Sequence, residues 1–181
     1  MVIAALYVDP KGPYQGMDGV ECWDEERDAR GYAGPYPAVA HPPCGPWGRL
    51  HHLCTKQDRS LGPLAVEQVQ RWGGVLEHPA DSKLWRHCKL PFPGELPDEY
   101  GGTTLAIDQC DWGHVCRKPT WLYMVGARAW PDRQPKEPTA KIFSGLRKRD
   151  GLRWATKSER RLTPRALAEW LATIARTAGA A

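Results

Sequence analysis

Apolar residues in this chain fall into short blocks separated by proline and glycine. Val2 to Val8 is a compact apolar run before Asp9-Pro10, which predicts a buried first strand followed by the Gly/Pro loop KGPYQGMDG. Val20 to Trp23 predicts a second short strand, and the charged stretch DEERDARGY after it a brief helix. Ala38 to His41 predicts a third strand, with Cys44 just past its carboxyl end in the sequence AVAHPPCGPWG. Two consecutive prolines remove two backbone donors and stiffen the chain, so Cys44 is held on a rigid loop.

Pro63 opens a helix over LAVEQVQRW, with Leu61, Ala65, Val69 and Trp72 on one face, and Gly73-Gly74 ends it. VLEHPA reads as the fourth strand, with Glu77 towards its end, and Ser82 caps a short helix through Leu84, Trp85 and His87. Lys89 to Gly102 reads as Pro/Gly loop. Thr103 to Ile107 and Pro119 to Val125 read as strands flanking the turn-like CDWGHVCRK. Thr163-Pro164 starts a terminal helix, RALAEWLATIARTA, with Leu167, Leu171 and Ile174 on one side.

Strands alternating with helices predict a single α/β domain over residues 1–181 with a mainly parallel sheet. In such sheets ligands bind beyond the carboxyl ends of the strands, and Asp9, Trp23-Asp24, Cys44 and Glu77 all fall on that rim. Residues 128–157 have no clear period, many charges and several prolines, and read as a basic loop or small insertion.

The charge is uneven. Arg117 to Arg165 carry 14 Lys/Arg against 4 Asp/Glu, although the whole chain is only +4. That asymmetry points to a polyanionic partner such as DNA, or to a solvated basic surface. No apolar run approaches the roughly 20 residues of a membrane helix, and MVIAALYVDP lacks the features of a signal peptide. The expectation is a cytoplasmic protein whose six cysteines stay reduced.

A cysteine attacks through its thiolate, which an exposed position near positive charge favours. A half-buried carboxyl such as Glu77 can keep its proton near neutral pH and hold an electron-poor ring while sulfur adds to it. Cys44 and Glu77 together suggest covalent catalysis on a heterocycle; singly, each is equally explained as a small buried hydrophobe and a surface acid.

The ordered series HPPC, GGVLEHP, CDWGHVCRKPTWLYMVG and RRLTPRALAEWL resembles the motif series of cytosine-5 DNA methyltransferases across most of the chain. The series is also similar to small bacteriophage-encoded proteins, which would place the chain in a host cytoplasm. The resemblance implies a Rossmann-like methyltransferase-type domain in which Cys44 adds to C6 of a cytosine swung out of the duplex. Glu77 would hold N3 and the exocyclic amine, and Arg117 or Lys118 would position base and phosphate. S-adenosylmethionine would be the methyl donor, lying against Val8, Asp9, Gly12, Trp23, Asp24 and Pro43.

This sequence departs from the family in several places. The Gly-rich donor loop is replaced by VDPKGPY, Cys44 is followed by Gly45, and Glu77 by His78-Pro79. Between Tyr32 and Cys44 there is little room for a further strand, and the basic segment is short, so the resemblance is to a pared-down relative.

Two other readings stand beside it. His41, His78, His114, Cys110 and Cys116 are candidate ligands for a zinc or iron centre, although no spacing matches a strong finger or CxxC pair. A noncatalytic nucleic-acid binder could use RKRDGLRWATKSERR on phosphates, with Trp130 and Trp154 as stacking surfaces.

Overall fold

The computed structural model describes residues 1–48, 51–54, 58–127, 135–142 and 151–179. Six strands form the central sheet: β1 (Ile3–Leu6), β2 (Val20–Trp23), β3 (Ala38–Ala40), β4 (Gly74–Pro79), β5 (Thr103–Asp108) and β6 (Pro119–Val125). Their order is β2-β1-β3-β4-β6-β5. β2, β1, β3 and β4 pair in parallel, whereas β6 runs antiparallel to both β4 and β5, so β5 again points the same way as β4. The chain is therefore α/β with a mostly parallel sheet.

Side-chain parity explains how both faces are covered. Along β1, Ile3 and Ala5 face one core while Ala4 and Leu6 face the other; Val39 opposes Ala38 and Ala40 in the same way, and Val75 opposes Leu76. Central parallel strands are buried on both faces, which is why they read as unbroken apolar runs. Helix α1 (Leu61–Trp72) covers one face with Ala65, Val66 and Val69. The terminal helix α4 (Arg165–Ala178) covers the other with Leu167, Ala168, Leu171, Ile174 and Ala175.

The short helix α2 (Leu84–His87) follows β4, and Ser82 Oγ accepts from Leu84 N at 3.1 Å. The stretch after β2 is a set of turns with one 3-10 turn at Ala29–Gly31 in place of the expected helix. Asp24 Oδ1 accepts from the backbone N–H of Glu26 and Arg27, and Asp28 adopts φ 55. Such local side-chain bonds compete with helix formation.

In the basic segment, residues 128–134, including Trp130, and 143–150 lie outside the described residues. The rest contains β7 (Ala140–Lys141) pairing in parallel with β8 (Arg153–Trp154), then helix α3 (Lys157–Arg161). Thr156 and Glu159 form a reciprocal capping box that starts α3, a signal hidden among the charges. Among the described residues no helix is long and apolar enough to cross a membrane.

Gly74 opens β4 with φ +114, and an added Cβ would lie 2.0 Å from the Ala38 carbonyl oxygen. Gly74→Ala is therefore expected to lower unfolding free energy by roughly 3 kcal/mol or more, from strain and overpacking at the β3–β4 ladder. Urea denaturation measures this; an unchanged midpoint would contradict the β3–β4 register.

Candidate functional site

The carboxyl ends of β1, β2, β3, β4 and β5 share one rim with the start of β6. The chain leaves β1 for β2 on one side and later places β3 on the other, so strand order reverses between β1 and β3. A crevice at such a switch point is the usual ligand site of an open α/β sheet.

Parity continues past the apolar part of the strands. Ala40 pairs with Leu76 in register, so His41 and Glu77 follow side by side on the face that Val39 and Val75 occupy. His41 Nδ1 lies 3.0 Å from Glu77 Oε2, and both side chains are 12% exposed. Tyr14, buried in the β1–β2 loop, brings its hydroxyl to 2.7 Å from His41 Nε2. On the other side, Gln109 Nε2 donates to Glu77 Oε1 at 2.8 Å and to Thr120 Oγ1 at 3.1 Å. Thr120 Oγ1 in turn donates to the Lys118 carbonyl at 3.0 Å. One hydrogen-bonded chain thus crosses the rim from Tyr14 to Lys118.

Glu77 differs from its sequence-based expectation. Burial alone would raise its carboxyl, but the His41 hydrogen bond and the charges of His41, Lys118 and His78 outweigh it and hold the group at about 2. Glu77 is a carboxylate at neutral pH, with both oxygens engaged. His78, of opposite parity, is fully buried beside Trp85, and burial holds its imidazole down at about 4.

Cys44 stands where β3 has ended. Pro42 is buried and Cys44 exposed, and the Cys44 carbonyl accepts from Trp47 N and Gly48 N at 3.1 and 2.9 Å to form a 3-10 turn. Trp47 anchors the turn: its side chain is 1% exposed, its carbonyl accepts from Lys83 N, and the Arg59 guanidinium stacks 4.1 Å over its ring. The rigidity of the Pro-Pro-Cys loop therefore has a packed foundation. The sulfur, however, is not an activated thiolate at rest. Surrounding protein pushes the thiol up, the Glu77 charge pushes it further, and the Lys118 ammonium acts in the opposite direction.

The Lys118 charge thus acts on both Cys44 and Glu77, whereas Arg117 is exposed and turned to Asp108 and Glu137, each at 3.9 Å. Val8 is buried at the end of β1, and Pro43 is half-buried. Asp9 closes a tight turn, its Oδ1 accepting from Lys11 N at 2.8 Å and its carbonyl from Gly12 N at 2.8 Å. Trp23 carries the Arg27 guanidinium 4.1 Å over its ring and meets Tyr32 edge-on, while its Nε1 is buried without a hydrogen-bond partner. Two clefts, one lined by Met1, Gly19, Arg165 and Arg176 and one by Glu21, Cys22, Asp24 and Arg27, include neither Cys44 nor Glu77.

The proposed metal ligands are dispersed. His114 Nδ1 accepts from Cys116 N at 2.9 Å, closing a buried turn, and Cys110 and Cys116 are buried. His41 is committed to Tyr14 and Glu77. Among the described residues no three His, Cys, Asp or Glu side chains are grouped to hold a metal ion.

Sequence reasoning singled out Cys44, Glu77 and Lys118, whose charges act on one another at the rim, and it held His41 only as a candidate metal ligand. It missed Tyr14, Gln109 and Thr120. The usable signal was parity: AVAH and GVLE each end their apolar alternation on a polar residue, and those two residues pair across adjacent strands.

Both buried groups make acid destabilising. Each folded-state value lies below the ordinary one, so the unfolded chain binds more protons and stability is lost as pH falls. His78 contributes the loss between 6.5 and about 4, and Glu77 the loss between 4.5 and about 2. Urea midpoints measured against pH are expected to fall across both windows, with His78→Phe flattening the upper one and Glu77→Gln the lower. A wild-type midpoint constant down to pH of about 3 would contradict both assignments.

No protein-family model matches this chain, and no curated protein matches it in sequence.

Proposed function

We propose that the chain is a DNA-modifying enzyme that acts at C5 of cytosine, or of a related pyrimidine, through a covalent Cys44 adduct. The observation that supports this reading is that Cys44 and Glu77 follow adjacent parallel strands at the carboxyl rim beside the switch point, with the charges of Glu77 and Lys118 both acting on the Cys44 thiol. The sheet is compatible with a Rossmann-like methyltransferase-type domain lacking one edge strand.

In this reading the Cys44 sulfur adds to C6 and makes C5 nucleophilic, Glu77 accepts a hydrogen bond from the exocyclic amine, and Lys118 places positive charge near the thiol. Such a base must leave the duplex stack to be reached. Arg117 is an outer contact in this scheme, since its guanidinium points to Asp108 and Glu137. S-adenosylmethionine supplies the methyl group when bound. Val8, Asp9, Gly12, Trp23, Asp24 and Pro43 would border it. The buried, unpartnered Trp23 Nε1 fits a ligand acceptor there, and exposed Arg27 can swing off the indole face to admit an adenine.

A second reading, a noncatalytic nucleic-acid-binding relative, is favoured by the raised Cys44 thiol and by the engagement of both Glu77 oxygens.

The test is covalent trapping. A duplex containing 5-fluorocytosine is expected to give a denaturant-stable adduct with wild type and none with Cys44→Ala, while S-adenosylhomocysteine raises the melting temperature. Duplex binding without any Cys44-dependent adduct would favour the noncatalytic reading.

A further inference from the structure

Glu77 has both oxygens answered before any base arrives, and this raises a chemical problem for the reading above. The pyrimidine edge of cytosine presents an amine that donates and a ring N3 that accepts. A carboxylate only accepts, so Glu77 in its ionised form satisfies the amine and leaves N3 without a donor. N3 needs a proton most when sulfur adds to C6, because the C5–C6 π electrons then shift towards C4 and N3.

The fold places one proton within reach of the carboxylate on the side away from the base. His41 Nδ1 is 3.0 Å from Glu77 Oε2, and Tyr14 Oη is 2.7 Å from the other ring nitrogen. We propose, resting on the cytosine reading, that His41 is a positioning residue supplying through Glu77 the proton that N3 takes up as Cys44 adds, with Tyr14 fixing the imidazole.

The step balances. The Cys44 thiol releases its proton to solvent, and the sulfur pair forms the bond to C6. His41, carrying a hydrogen on both ring nitrogens, passes its Nδ1 hydrogen to Glu77 Oε2; the carboxyl so formed turns to present that same hydrogen to N3 and is a carboxylate again once N3 has taken it. His41 is left neutral with its Nε2–H donating to Tyr14 Oη, and solvent restores its proton. Gln109 can release Oε1 to the base because its Nε2 also donates to Thr120 Oγ1 at 3.1 Å. Burial and the Glu77 charge push the Tyr14 phenol well up, so Tyr14 orients the ring and is not itself the proton source.

Deuterium uptake at C5 of cytosine reads this step without a methyl donor, because it follows reversible Cys44 addition. The probe is a duplex in deuterated buffer. His41→Gln keeps a hydrogen-bond donor towards Glu77 but no transferable proton, and is expected to slow uptake roughly 100-fold with duplex affinity unchanged. Tyr14→Phe should give a smaller loss.

His41, Lys118, His78, Tyr14 and Cys44 all act on or face Glu77. Removing His41 takes away the strongest influence holding its carboxyl down, so in His41→Gln solvent can protonate Glu77 directly. The variant-to-wild-type ratio should therefore climb as pH falls from about 8 to about 6. A purely structural role predicts a constant ratio, and that result, or uptake at the wild-type rate, overturns the proposal. If melting shows that His41→Gln does not fold, Tyr14→Phe carries the comparison, since it keeps both His41 and Glu77; an unchanged rate in it then overturns the relay. Wild type that neither exchanges C5 nor traps 5-fluorocytosine removes the cytosine reading itself.

Discussion

A carboxylate set on the inner face of a sheet is tolerated only when its charge is answered, and the pairing of Glu77 with His41 is the interaction on which this rim depends. Desolvating an ion costs several kcal/mol, and breaking a buried pair from one side leaves that cost uncompensated. Here the answer comes from both flanks: His41 from the residue just past β3, and Gln109 from the turn that follows β5. The same hydrogen bonds therefore do structural work. They fasten the β1–β2 loop through Tyr14, and the reversed β5–β6 pair through Gln109 and Thr120, to the parallel half of the sheet.

Much of the sheet was legible because both faces are covered. When α1 and α4 bury opposite parities of the same strand, the strand reads as a continuous apolar block, as in Val2 to Val8 and in GVLE. Parity also places the candidate site residues, since a chain that alternates Val39, Ala40, His41 commits its last side chain to a face. The failures were local. The Asp24 and Asp28 side chains bind nearby backbone and hold turns where charge patterning suggested a helix. The reverse failure is α3, where a segment judged by its charge concealed the Thr156–Glu159 capping box.

The partners of Glu77 were harder to see because nothing local marks them. Gln109 is 32 residues away in sequence, and Tyr14 lies 27 residues from His41. Each is brought in by strand order, and the direction of β6 between β4 and β5 is not encoded in any pattern that a single strand displays. Cys44 was visible for the opposite reason. Its setting is covalent: two prolines on one side, and a Gly-Pro-Trp turn on the other whose indole is buried.

Charge at the rim couples the two residues that sequence and geometry agree on. Burial first, and the Glu77 carboxylate after it, raise the Cys44 thiol and keep the sulfur protonated and poorly nucleophilic. A hydrogen-bond donor or cation that answers Glu77 would weaken its part of that influence, leaving burial and the Lys118 ammonium as the opposed forces on the sulfur. The expectation that exposure near positive charge favours the Cys44 thiolate is thus corrected: burial and the neighbouring carboxylate outweigh the Lys118 charge. A thiol held down by a fixed cation would be exposed to oxidation in every unliganded molecule; one restrained by a neighbouring carboxylate is released where that carboxylate is engaged.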